Sequence, residues 1–199
     1  MIGHVYVVSV VLLFEVYMIN QDVSVNVWGV FVGEGGNQLA AFNSNDGPFP
    51  PKPGAHGYIA IGWAAVGDMK MYKGNYPDFL GKFSIVYKYD NERVLSTQAG
   101  RVWAFAYEIK AGDYVISPSS DSGYLLVGNI LGDYESDFDN WESVAKAKTR
   151  ADLMHLRRVK WMIAIKSGDK RYEKLHRIGQ LAVGLQKLTE NELIEILNS

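Results

Sequence analysis

Gly57-Tyr-Ile-Ala-Ile-Gly-Trp-Ala-Ala-Val-Gly-Asp-Met69 holds an apolar run, Tyr58 to Ile61, closed on both sides by glycine. A short apolar run bounded in this way predicts a buried central β-strand. The strand leads to Trp63 instead of a polar turn residue, so it delivers a large ring to its exit, either to fill a core or to wall a pocket. Gly62 carries no side chain and lets a flat partner approach that ring closely. Gly67-Asp68 then closes the segment as a turn. Core burial is the commoner position for a tryptophan; the pocket reading draws on aromatic residues elsewhere in the chain.

Upstream, Val25-Asn-Val-Trp-Gly-Val-Phe-Val32 predicts a strand, and Gly33 to Gly36 a turn into a short helix over Asn37 to Phe42. The glycine spacing matches neither common nucleotide-binding pattern, which leaves a plain tight turn or an anion held by backbone N–H groups. Pro48, Pro50, Pro51 and Pro53 make Asn43 to His56 a loop. Residues 2–19 are apolar except for His4, Ser9 and Glu15. With no basic flank, no cleavage site and a glutamate in mid-span, they read as strand in an N-terminal extension over 1–24, not as a membrane span or leader.

Downstream, Tyr76-Pro77-Asp78 interrupts any long helix in residues 69–83. Leu95, Val102, Ala106 and Ile109 recur at helical spacing and predict a helix from Glu92 to Lys110, ended by Lys110-Ala-Gly-Asp113. Tyr114 to Ser117 and Tyr124 to Leu131 read as strands of a hairpin. Gly132-Asp133-Tyr134 opens an acidic, aromatic loop through Phe138 and Trp141, too polar to be core throughout. A helix is expected from Trp141 to about Leu153, then a long strand from His155 to Lys166. In that strand His155, Arg157, Val159, Trp161, Ile163 and Ile165 face one way, and the intervening residues the other. Thr189 and Glu192 have the spacing of a capping box for a last helix, with a staple between Leu188 and Leu193.

With 199 residues, 48% hydrophobic and 13% aromatic, the chain can bury a core as one domain with additions. A formal charge of −2 argues against coating nucleic acid by charge alone, though it permits a local basic patch. Zero cysteines exclude disulfides and thiolate metal sites, and the 4 histidines lack zinc spacing, so no metal or cofactor is expected. A cysteine-free chain fits a cytoplasmic setting.

Two chemistries remain. Asp78, Glu108 and Lys110 have the loose P-D…E-x-K layout of metal-dependent nucleases, but that site needs Glu and Lys on one side of a strand, and here E-I-K closes a helix. Alternatively, Trp63 with the loop rings Tyr134, Phe138 and Trp141 would make an aromatic cage for a flat, methylated base. Such a base must be single-stranded or flipped from a duplex. Arg157, Arg158 and Lys160, with Lys146, Lys148 and Arg150, would hold phosphates or simply form a solvated face.

The pieces V-W-G-V-F-V-G-E-G-G from Val27, Y-I-A-I-G-W-A-A-V-G-D-M from Tyr58, V-W-A-F-A-Y-E-I-K-A-G-D-Y-V-I-S-P from Val102 and Y-L-L-V-G-N-I-L-G-D-Y from Tyr124 resemble the EVE-like and YTH-like modules of the PUA superfamily. The likeness is greatest to those of McrB-type and Mrr-type modification-dependent restriction proteins. It implies an α+β fold, a curved sheet or small barrel flanked by helices, over residues 25–188. The fold would bind a modified base in an aromatic pocket and leave catalysis to another domain. By that resemblance Trp63 falls at the strand-end cage tryptophan and Trp141 in the loop supplying the opposing ring. Asp68 joins the base-binding set, Trp28 corresponds less clearly, and Trp161 is structural. Residues 189–199 would lead to an AAA+ GTPase motor that recruits a nuclease subunit. The expected function is non-enzymatic recognition of methylated DNA, N6-methyladenine first and 5-methylcytosine second, with a modified-RNA reader as the alternative.

Overall fold

The computed structural model describes residues 24–33, 36–37, 39–40, 49–136, 153–179 and 184–198. Among these residues it is an α+β fold built on a mixed, open sheet of seven strands. The strands are β1 (Ser24–Gly29), β2 (His56–Ile61), β3 (Tyr114–Ser119), β4 (Tyr124–Ile130), β5 (Glu135–Ser136), β6 (His155–Lys166) and β7 (Gly184–Thr189). The helices are α1 (Tyr76–Val86), α2 (Glu92–Trp103), α3 (Lys170–Gly179) and α4 (Glu190–Asn198). The order across the sheet is β2-β6-β4-β3-β1-β7, with the short β5 also against β6. β1 and β3 run parallel, and the other pairs are antiparallel.

Both faces of the sheet carry a core. Val27/Trp28, Val115/Ile116 and Leu125/Leu126 each send one residue to either side, as the two-residue period of a strand requires. One cluster joins Trp28, Val115, Leu126 and Trp161 to Phe79 and Phe83 of α1 and Val102 of α2. The other joins Val27, Ile116, Leu125 and Ile165 to Leu175 of α3 and Leu193 of α4. A sheet covered on both faces reads as continuous apolar runs in the sequence. For this reason the expectation that Tyr58 to Ile61 forms a central strand needs correcting. Ile59, Ala60 and Ile61 are buried, yet β2 ends the strand order and pairs only with β6 among the described residues. An apolar run reports buried side chains, not the number of neighbouring strands.

The two faces expected of the long strand are also corrected. Trp161 pairs with Gly128 and Ile163 with Val127, so Met162 is an extra residue in β6. That bulge shifts the alternation by one residue and sends Ile163 and Ile165 to the α3/α4 side, away from Val159 and Trp161. Gly128 makes room for it: a Cβ there would lie 2.4 Å from Val159 Cγ1 and 2.8 Å from Trp161 Cε3.

Tyr76-Pro77-Asp78 begins a helix. Asn75 accepts a hydrogen bond from the Asp78 amide at 3.3 Å, and proline in a first turn forfeits no internal bond. Asn91 caps α2 in the same way, accepting from the Arg93 amide at 2.8 Å. The helix expected to reach Lys110 instead ends at Trp103 in a wider turn over Ala104–Glu108, closed by the Ile109 amide on the Ala104 carbonyl at 3.0 Å. The last helix follows directly on β7 and packs on the sheet. β7 pairs with β1 from Ser24↔Thr189 to Gly29↔Gly184, and Leu193 of α4 is 1% exposed in the second cluster. Residues 1–23, the helix expected from Trp141, and the side chains of Leu188, Thr189 and Glu192 lie outside the described residues. Among those described, no helix is long and apolar enough to cross a membrane.

A clamped, strained loop as the candidate binding site

Beyond β2 the backbone of Trp63 takes φ 67° and ψ 33°, the left-handed region that costs a side-chain-bearing residue about 1–2 kcal/mol. Lys73 has φ 47°, and these two are the non-glycine residues with positive φ among those described. They bracket a segment of two tight turns, Ala64–Val66 and Met69–Tyr72. Gly67, at φ 81° and ψ −172°, joins the turns in a conformation essentially reserved for glycine. Asp68 caps the second turn by accepting from the Lys70 amide at 2.9 Å, and its other oxygen accepts from Ser136 Oγ at 2.6 Å.

A loop without a ladder must find other partners for its backbone groups. Here tyrosine hydroxyls supply them. Tyr72 donates to the Val66 carbonyl at 2.7 Å, and Tyr107 donates to the Met69 carbonyl. The Ala65 amide donates to Tyr87 Oη at 3.2 Å, the Met69 amide to Tyr134 Oη at 3.3 Å, and the Trp63 indole N–H to Tyr89 Oη at 3.4 Å. Tyr72 thus ties the segment to itself, while Tyr87, Tyr89, Tyr107 and Tyr134 hold it from elements outside it.

His155 completes the clamp from the first residue of β6, opposite Ile61. It is fully buried, with Nε2 3.3 Å from the Trp63 carbonyl and Nδ1 2.7 Å from Tyr134 Oη. A carbonyl only accepts, so Nε2 carries the proton, and Nδ1 accepts from the Tyr134 hydroxyl. Burial pushes the His155 pKa down to about 4, against the opposing influences of the Trp63 carbonyl and Asp68. Burial likewise raises the Tyr134 hydroxyl well above the usual phenol range. The His155–Tyr134 pair is neutral at physiological pH, and Trp63, partly exposed and packed against the main core cluster, stands on this base.

Trp63 and Asp68 thus lie in one loop. Tyr134 belongs beneath it: at 6% exposure, with its hydroxyl bonded to the loop, it supports the site and does not wall it. Trp28 is corrected from the base-binding set to the core, being 2% exposed with its indole N–H on Asp113 Oδ2 at 2.8 Å. Arg157 is corrected from a phosphate ligand to an internal strut. It is 1% exposed, and its guanidinium donates to the carbonyls of Phe105 at 2.7 Å, Ala106 at 3.0 Å and Gly132 at 3.0 Å. Burial lowers its pKa to about 10, so it stays a cation. Arg158 and Lys160 are exposed, facing Tyr58 and His56 across the β2–β6 pair, with Arg158 2.9 Å from Glu135. Phe138, Trp141, Lys146, Lys148 and Arg150 lie outside the described residues.

Of the residues in the nuclease layout, Asp78 is bonded to Asn75 at the start of α1, while Glu108 and Lys110 are exposed either side of buried Ile109, with Lys110 Nζ donating to the Tyr107 carbonyl. Asp113 is committed to Trp28, to Asn26 and to the Lys110 amide. Among the described residues no group of three or more His, Asp and Glu side chains is placed to hold a metal ion.

The sequence does not single out His155 as part of the site, nor Tyr72, Tyr87, Tyr89 and Tyr107 as supports, and it marks Tyr134 only as a candidate ring of the cage. The crowding of Tyr72, Tyr87 and Tyr89 is visible in the sequence, but the destinations of their hydroxyls depend on tertiary contacts. Residues 43–182, more than half the chain, match a family described as a domain of unknown function (DUF8426). No curated protein and no solved structure matches.

Proposed function

The chain belongs to the DUF8426 family, a domain of unknown function, and we propose from the geometry of the Trp63 loop that it is a non-catalytic reader of methylated DNA. It holds a flipped base against Trp63, N6-methyladenine in the first place and 5-methylcytosine in the second. The observation that carries this reading is the Trp63 loop itself. Trp63, a partly exposed residue packed against the edge of the main core cluster, sits in a strained backbone conformation that five tyrosine hydroxyls and a buried histidine hold in place. Strain kept in this way is characteristic of binding sites, and a fixed aromatic face stacks on a base at little further entropic cost. Exposed Lys160 and Arg158 offer cations for the backbone of a strand. The resemblance to EVE-like and YTH-like modules points the same way. In a McrB-type arrangement such a reader would direct a GTP-driven motor and a nuclease subunit.

The test is a titration of the chain against duplexes of one sequence that are plain, N6-methyladenine-containing or 5-methylcytosine-containing, and against the matching RNA, at two salt concentrations. A preference for one methylated duplex is expected, with salt weakening plain and methylated binding alike. Trp63→Ala should remove the preference, about tenfold or more in affinity, and leave the salt-sensitive background. Equal, salt-sensitive binding to every DNA would sink the reading, and preference for methylated RNA would redirect it.

A further inference from the structure

Burial alternates sharply on the second turn of the Trp63 segment. Met69 and Tyr72 are buried, whereas Lys70, Met71 and Lys73 stand in solvent, Met71 at 64% exposure. The backbone presenting Met71 is rigidly held. Asp68 caps it, both backbone groups of Met69 are bonded to tyrosines, Tyr72 reaches back to Val66, and Lys73 closes the turn in a left-handed conformation. Met71 also leans toward the Trp63 side of the segment, its sulfur 3.4 Å from where a Cβ on Gly67 would be. Lys70, its neighbour in sequence, holds its ammonium 6.0 Å from the Tyr134 ring centroid. An exposed apolar side chain on a fixed turn, with an exposed lysine on either side of it in sequence, matches a surface that is itself apolar between charges, and a duplex offers one: stacked bases between two phosphate strands.

We infer that Met71 is a wedge that enters the base stack beside the Trp63 site, while Lys70 and Lys73 meet the flanking phosphates. The inference rests on the base-reading proposal and supplies its missing step, because a paired base must leave the stack before it can reach Trp63. Unstacking is unfavourable, and apolar side chains inserted between base steps offset it. Flanking lysines add the sequence-independent attraction. A single-stranded target needs no wedge.

The experiment compares the full chain with Met71→Ala and Met71→Leu, each verified as folded by thermal melting, on methylated duplexes and single strands of one sequence, with N6-methyladenine or 5-methylcytosine. Met71→Ala should weaken binding to the methylated duplex about tenfold, leave single-strand binding unchanged, and be largely rescued by Met71→Leu. Loss on both forms alike, or on neither, overturns the wedge and leaves the base reading standing. A wild-type chain that holds plain and methylated strands equally in both forms overturns the base reading, and the wedge falls with it.

Discussion

A tryptophan at φ 67° persists only where its surroundings outweigh the strain, and around Trp63 they are specific: its carbonyl accepts from His155 and its indole N–H donates to Tyr89. Gly67 meets the same demand differently, since its φ of 81° with ψ −172° suits almost no other residue. Its would-be Cβ meets Met71 Sδ at an ordinary 3.4 Å, so Gly67→Ala should be destabilising through backbone strain and not through a clash. The expected loss is about 1–3 kcal/mol, seen as a Tm several degrees lower. An unchanged Tm would show that the segment relaxes freely and that the clamp is weaker than its hydrogen bonds suggest. The sequence marked both residues, Trp63 as a ring at a strand exit and Gly67 as a turn. It could not show the left-handed backbone at Trp63, because that conformation is imposed by tyrosines and a histidine that arrive from elsewhere in the fold.

At the level of elements, Arg157 and Arg158 show what alternation reveals and what it leaves open. Neighbours in a strand point to opposite faces, but only the assembled sheet shows which face needs a cation. The wide turn over Ala104–Glu108 leaves the Phe105 and Ala106 carbonyls without helical donors, and Arg157 serves both together with Gly132. Lysine has a single nitrogen and cannot span that set. Arg157→Lys should therefore be destabilising by about 3 kcal/mol, since buried carbonyls go unpaired. Arg158→Lys should change stability by less than about 0.5 kcal/mol, because its pair with Glu135 is exposed. Urea midpoints for the two variants measure the contrast, and similar values would refute the division. The strands β1, β3, β4 and β6 were legible because apolar β-branched runs and turn residues are local signals. The bulge at Met162 was not, since it depends on Gly128 lying against Trp161 across the sheet.

For the whole molecule, the strand order was the least legible feature. Nothing local says that β7 returns to β1, or that β2 lies at the opposite edge from β7. Nor does anything local show that His155, at the start of β6, is sealed beneath the site loop. That burial couples global stability to pH. Folded His155 takes up a proton only near pH 4, whereas an unfolded histidine does so near 6.5. Between those values the unfolded chain holds a proton that the folded chain lacks, so stability falls as pH drops through that window and is flat above it as far as this group is concerned. The full difference corresponds to at most about 3 kcal/mol. His155→Gln places an amide N–H where Nε2–H stood and cannot titrate. Its stability at neutral pH should be lower, but its decline from pH 6.5 to 4.5 should be shallower than that of the wild type. Urea midpoints at pH 7, 5.5 and 4.5 decide the matter. Parallel curves would mean that His155 is protonated without cost, and hence that the seal between β6 and the Trp63 loop opens to water.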